Sequence, residues 1–178
     1  MTIKSLYMLL RLLLLVSATF HAKPPANPAE LEANAAFARI KSLAGDWQSA
    51  GRNGEHSRLN YQIISGGTAV MERFTSDALP HNSGAMMTIY YIDKGQLVLT
   101  HYCIAGNQPH LRATRYSPQD GELDFDFVDG GNIVSGDEGH MHSARIHFID
   151  DDHITGEWQY MQARSPKFTE ISKYTRVK

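Results

Sequence analysis

The chain has 178 residues, a net charge of −2 and only 20% charged side chains. There is no basic excess to hold nucleic acid or an anionic membrane surface, and with Cys103 as the single cysteine no intramolecular disulfide can form. The length suits one domain around one core.

Residues 1–22 read as a secretory signal peptide: Lys4, an apolar run from Leu6 to Val16 broken by Arg11, then the small residues Ser17 and Ala18. Cleavage after Ala18 or after Ala22 fits equally, and no cysteine stands at the boundary to accept lipid. Arg11 leaves too short an apolar stretch for a comfortable membrane span, so an uncleaved N-terminal anchor is the lesser alternative. Losing residues 1–22 would remove two of the 17 basic side chains and none of the 19 acidic ones, leaving a mature chain of net charge −4. The expected location is periplasmic or secreted, with no stable membrane span after signal cleavage.

Residues 23–34, with Pro24, Pro25 and Pro28 among alanines, read as a leader, and residues 35–178 as the folded domain. Leu31, Ala35, Phe37, Ile40 and Leu43 are spaced like one helical face, with Gly45 placed to stop the helix. Alternation of period two then takes over. The expected strands cover 46–49, 57–65, 68–75, 86–93, 96–103, 111–116, 122–128, 140–150, 153–162 and 167–176, with turn chemistry at Ser65-Gly66-Gly67, Asp93-Lys94-Gly95, Pro118 to Gly121 and Asp150 to Asp152. No later helix is long enough to cross between parallel strands, so the sheet should be antiparallel. About ten sequential strands after one short helix predict an all-β, antiparallel up-and-down barrel, with a β-sandwich as the alternative.

The chemistry concentrates in Thr100 to Pro109 and in Gly139 to His142. Strand parity turns Leu97, Leu99, His101 and Cys103 inward, along with His140, His142, Ala144, Ile146 and Phe148. It does the same for Ile154, Gly156, Trp158 and Tyr160, and it puts Glu72 inside with Val70 and Phe74. Buried imidazoles and a buried carboxylate require partners, water or a ligand. The candidate ligand-binding residues are therefore Glu72, His101, Cys103, Asn107, Gln108, His140, His142 and Trp158. The bland alternative is a polar network satisfied by itself and by buried water, with Cys103 an inert core side chain.

Gly45-Asp46-Trp47 after a helix is similar to the Gly-x-Trp signature of lipocalins and calycins. Leu43 to Trp47, Ile64 to Glu72, Met87 to Asp93, Thr100 to Pro109, His140-Met141-His142, Asp152-His153 and Glu157-Trp158 together resemble a bacterial family of exported, uncharacterised calycin-like proteins, across nearly the whole mature chain. That resemblance implies a calycin-like barrel and an envelope location and carries no catalytic residue. Haem barrels of the nitrobindin type share the architecture, but none of their motifs matches here.

Four functions compete. The first is a small-molecule-binding barrel for a mostly apolar ligand with a polar anchor. The second is a metal or haem barrel, with His140-x-His142 and His101 with Cys103 as half-sites, although residues two apart on a strand need not converge on one ion. A Cys103/His enzyme, with Asn107 or Gln108 polarising an oxygen, is the third. The fourth is an envelope interaction module whose barrel is filled by its own side chains. The sequence specifies neither cofactor nor ligand.

Overall fold

The structure is a computed structural model and describes residues 28–50, 55–79 and 84–178. One helix, α1 (Pro28–Lys41), precedes ten strands: β1 (Gly45–Ala50), β2 (His56–Ile64), β3 (Ala69–Ser76), β4 (Met86–Asp93), β5 (Gln96–Tyr102), β6 (Gln108–Ser117), β7 (Glu122–Gly131), β8 (His140–Phe148), β9 (His153–Gln162) and β10 (Ser165–Arg176). Each strand pairs antiparallel with its sequence neighbours, and β1 also pairs with β10, so the sheet closes into an up-and-down barrel. Closure removes the free edges that an open sheet of this size would expose. The closing seam is short: Trp47 faces Arg176 and Gln48 faces Thr175.

Composition placed residues 28–34 in the leader, yet they form the first half of α1. Pro28 suits the first helical position, where its missing N–H has no intrahelical partner to lose. Glu30 in the first turn and Arg39 and Lys41 in the last complement the helix dipole. The buried face carries Ala36, Phe37 and Ile40, with Leu43 just beyond, so Ala36 takes the place predicted for the exposed Ala35. The proposed signal, residues 1–22, lies outside the described residues. Among the described residues, no helix is long and apolar enough to cross a membrane.

The helix closes one end of the barrel, packing on β4, β5 and β6. Beneath it Trp47, Leu97, Leu111, Leu123 and Phe148 join Phe37 and Ile40 in the core. The Trp47 indole N–H donates to Leu43 O at 2.8 Å, so the largest side chain in this layer is buried without an orphaned donor. Arg176 crosses the Trp47 ring at 4.2 Å and donates to the carbonyls of Ser42, Ala44 and Asp151, tying the last strand to the loop that follows α1. Lys94 and Gly95, at φ 48° and 79°, make a two-residue hairpin turn of the kind that matches strand twist.

The other end of the barrel is a mouth, lined among the described residues by Ser49, Glu55, Leu79, Ile104, Tyr160 and Phe168. Here β9 turns into β10 through Ala163 and Arg164, both in the left-handed region at φ 49° and 58°. β10 therefore begins at Ser165, two residues before the predicted strand start. The register shifts within β6 at two places, within β8 between Met141 and Ser143, and within β10 between Pro166 and Phe168. Such bulges are over-represented at barrel rims, where they re-aim a side chain.

Candidate functional site

One register row crosses four adjacent strands: Tyr61 on β2 faces Glu72 on β3, Glu72 faces Thr88 on β4, and Thr88 faces His101 on β5. All four are buried. Below this row, toward the helix, lie the apolar Val70, Leu99 and Leu111 and the ring of Tyr90. Above it, the lumen opens. The row is a polar belt laid across the barrel between a dry core and a cavity.

The belt's hydrogen bonds are specific. The Tyr90 hydroxyl donates to Glu72 Oε2 at 2.7 Å, and the Tyr61 hydroxyl bonds the same carboxyl group. Burial pushes the Glu72 pKa up, and the two phenols pull it partly back. Burial and then the adjacent Glu72 push both tyrosines well above their usual range, so they remain donors. His101 Nδ1 pairs with Thr88 Oγ1 at 3.0 Å. Its ring lies 4.9 Å from Trp158 on the far wall.

His101 is only 4% exposed, and no hydrogen-bond partner reaches its Nε2. Desolvation lowers its pKa to about 4, which leaves it neutral over the physiological range. A neutral imidazole keeps one donor and one acceptor nitrogen, so Nε2 can serve a ligand in whichever role Thr88 leaves to it. An unpaired buried polar atom costs roughly 1–3 kcal/mol.

His101, Glu72 and Trp158 line a cavity of about 70 Å³ together with Leu59, Phe74, Met86, Ile146 and Ile154. It continues into a wider cleft of about 610 Å³ at the mouth, through the shared walls of Phe74, Met86, Met141, Glu170 and Ser172. Cys103 lines that cleft, with Ile104, Tyr160 and Phe168. The Tyr160 and Phe168 rings stack at 5.0 Å and form one side of the opening. The combination of an apolar wall with a few buried polar groups is the usual chemistry of a small-molecule pocket.

Four of the eight residues predicted from sequence thus meet the lumen: Glu72, His101 and Trp158 in the deep part and Cys103 at the mouth. The other four do not line it. His140 is buried, but its Nδ1 donates to Glu138 O at 2.7 Å and its Nε2 pairs with His142 Nδ1 at 3.1 Å. Both imidazoles pack on Phe127. The register shift within His140-Met141-His142-Ser143 breaks the alternation that turned both imidazoles toward the lumen, and Met141 between them is the side chain that lines it. Asn107 donates to Gly139 O at 2.7 Å and fastens the loop after β5 to the start of β8. Gln108 sits at the start of β6 against Gly131 and its amide reaches only Gly106 O, at 3.5 Å.

The same geometry bears on the metal and enzyme readings. Among the described residues, no three His, Cys, Asp or Glu side chains gather as a metal-binding group, and the two expected half-sites do not converge. Burial pushes the Cys103 thiol pKa up, against partial lowering by the backbone around Ile104 and Ala105, whereas a nucleophilic thiol needs it lowered. None of the hydrogen bonds among the described residues joins Cys103 to an imidazole.

Sequence reasoning missed Tyr61, Tyr90, Thr88, Met141 and Glu170. For Tyr61, Thr88 and Tyr90 the signal was present, since each shares strand parity with a buried apolar or polar neighbour: Leu59 with Tyr61, and Met86 with Thr88 and Tyr90. Met141 had none, because a bulge leaves no mark on alternation. Glu170 reads as a solvated charge in sequence, yet its register partner on β9 is Trp158 and it lines both parts of the lumen.

No protein-family model matches the chain, and no curated protein matches it significantly. Among solved structures that resemble it is one described as "Structure of EF1p2_mFAP2b bound to DFHBI", at 10% identity, covering 77% of this chain and 95% of that one with a TM-score of 0.31, a likeness too slight to bear on function.

Proposed function

We propose that the chain is a small-molecule-binding barrel, exported to the periplasm or beyond and grouped with the calycin-like proteins that its motifs resemble. It takes a mostly apolar ligand whose polar group meets His101 Nε2. The observation that carries this reading is His101 itself: a neutral imidazole, buried in the lumen, its ring tilted against Trp158, with one nitrogen paired to Thr88 and the other unpaired. Evolution rarely leaves such an atom deep in an apolar wall without use, because replacing the ring by an apolar one would relieve the cost. The export part rests on residues 1–22 and their signal-like pattern.

The test begins with gently purified protein, examined by native mass spectrometry before and after organic extraction, and followed by a thermal-shift panel of small amphiphiles. The expected result is a released compound or a panel member that raises the melting temperature, with affinity reduced on the order of tenfold in His101→Phe, the loss of one hydrogen bond in a desolvated site. Release of nothing, together with a flat panel, would remove the binding reading in favour of a self-filled barrel.

A further inference from the structure

Among the described residues, the carboxylates around the lumen have no basic counterpart. The deep part is lined by Glu72 and Glu170, the mouth by Glu55 and Glu170, and among the described residues no lysine or arginine lines either. His101 is the one lining group that could acquire a positive charge, and desolvation holds it neutral down to about pH 4. An anion entering this space would shed water with no guanidinium or ammonium to receive it, and would pass Glu55 and Glu170 on the way. A cation meets the opposite situation.

The aromatic groups fall where a cation could use them. Trp158 is the cross-strand partner of Glu170, and both line the deep part. Phe168 and Tyr160 stack at the mouth beside the same carboxylate. Glu170 is exposed to solvent at the mouth, and ring faces beside such a carboxylate favour an ammonium group twice, once by charge and once by the ring quadrupole. Glu170 accepts from Ser172 Oγ at 3.1 Å and is not paired with any basic side chain among the described ion pairs, so its charge is not already spoken for.

We propose that the cavity selects amine-bearing amphiphiles over carboxylate-bearing ones of the same shape, with the ammonium between Glu170 and the Trp158, Tyr160 and Phe168 rings and the apolar body directed down past Phe74 and Met86 toward His101. This proposal rests on the binding reading and gives it a ligand class: a lipophilic primary or quaternary amine. The polar tip of such a molecule, where it has one, meets His101 Nε2.

Three probes of matched length test it: octylamine, octanol and octanoate, each titrated calorimetrically into the full folded protein at pH 7.5 and low salt. Octylamine should bind at least tenfold more tightly than octanoate, with octanol between them. Glu170→Gln should bring octylamine to within about twofold of octanol, and the preference should weaken with added salt, as for any partly exposed charge pair. Glu55→Gln, at the outer lip, should reduce the amine preference less than Glu170→Gln does. Octanoate binding as tightly as octylamine, or an amine preference that survives Glu170→Gln, would overturn the charge selection while leaving the binding reading in place. Failure of all three probes to bind would overturn the amine proposal, while the extraction and thermal-shift results decide the binding reading separately.

Discussion

The two ends of this barrel are built to different standards. At the helix end the large polar groups in the core layer are partnered: the Trp47 indole bonds Leu43 O, and Arg176 spreads over three carbonyls and a ring face. In the half toward the mouth two buried polar atoms, His101 Nε2 and Asn107 Oδ1, have none among the described residues. Stability is thus concentrated where α1 plugs the barrel, and the opposite half is free to carry groups that folding alone would not select. A self-filled barrel would show the same finish at both ends.

Trp47→Ala strikes the finished end and should have the largest effect, about 3–5 kcal/mol of stability in urea unfolding, since it empties a fully buried aromatic site and releases both Leu43 O and the Arg176 stack. A loss below about 1 kcal/mol would mean the helix end is not where stability lies.

His101 offers the next test, through pH. The folded protein keeps the imidazole neutral to about pH 4, while the unfolded one protonates near the ordinary imidazole value of about 6.5. The unfolded state therefore takes up the extra proton first as pH falls, and native stability is lost between about 6.5 and 4. The differential amounts to roughly 3 kcal/mol. Glu72 acts in the opposite sense, because its raised pKa makes its burial more costly as pH rises above the ordinary carboxylate range. Comparing wild type with His101→Gln isolates the imidazole: the wild type should lose roughly 3 kcal/mol more than the variant across that window, and parallel pH profiles would show His101 to be solvated.

Tyr90→Phe removes one of the two donors to Glu72 and should cost about 1–3 kcal/mol at neutral pH, less in acid where the carboxyl is protonated. Equal cost at pH 4 and pH 8 would argue against a carboxyl whose charge depends on that donor. The smallest change in stability, under about 1 kcal/mol, is expected from Gly139→Ala. A Cβ there would overlap the Tyr160 hydroxyl and crowd its ring edge, so the ring must turn out of its stack with Phe168 and the strain should appear as a reshaped mouth. Octylamine titration of Gly139→Ala reads that change, and unaltered affinity with lowered stability would reverse the expectation.

The strand pattern was legible because this barrel obeys alternation almost everywhere, so Leu97, Leu99, Ile146 and Ile154 face inward as their spacing says. The deep site was half legible for the same reason: Glu72, His101 and Trp158 sit on regular stretches of β3, β5 and β9. Where the ladder is irregular, the reading failed. His142 is the bulged residue and His140 precedes the bulge, and Ala163 and Arg164 adopt left-handed conformations without the glycine or asparagine that would announce them. The convergence of Tyr61, Tyr90 and Glu72 needed the register between strands, which no single strand's pattern contains.

The narrow seam between residues 47–48 and 175–176 also shapes how the ring is completed. Hairpins from β2 to β9 can assemble one after another as a nascent polypeptide emerges, but the circle stays broken until the final strand arrives from 129 positions downstream of Trp47. Such distant pairing is slow, and in the interval β1 and β9 each present a bare edge. A copy truncated before Ser165 would keep those edges permanently, and its natural fate is self-association through them rather than a smaller closed ring.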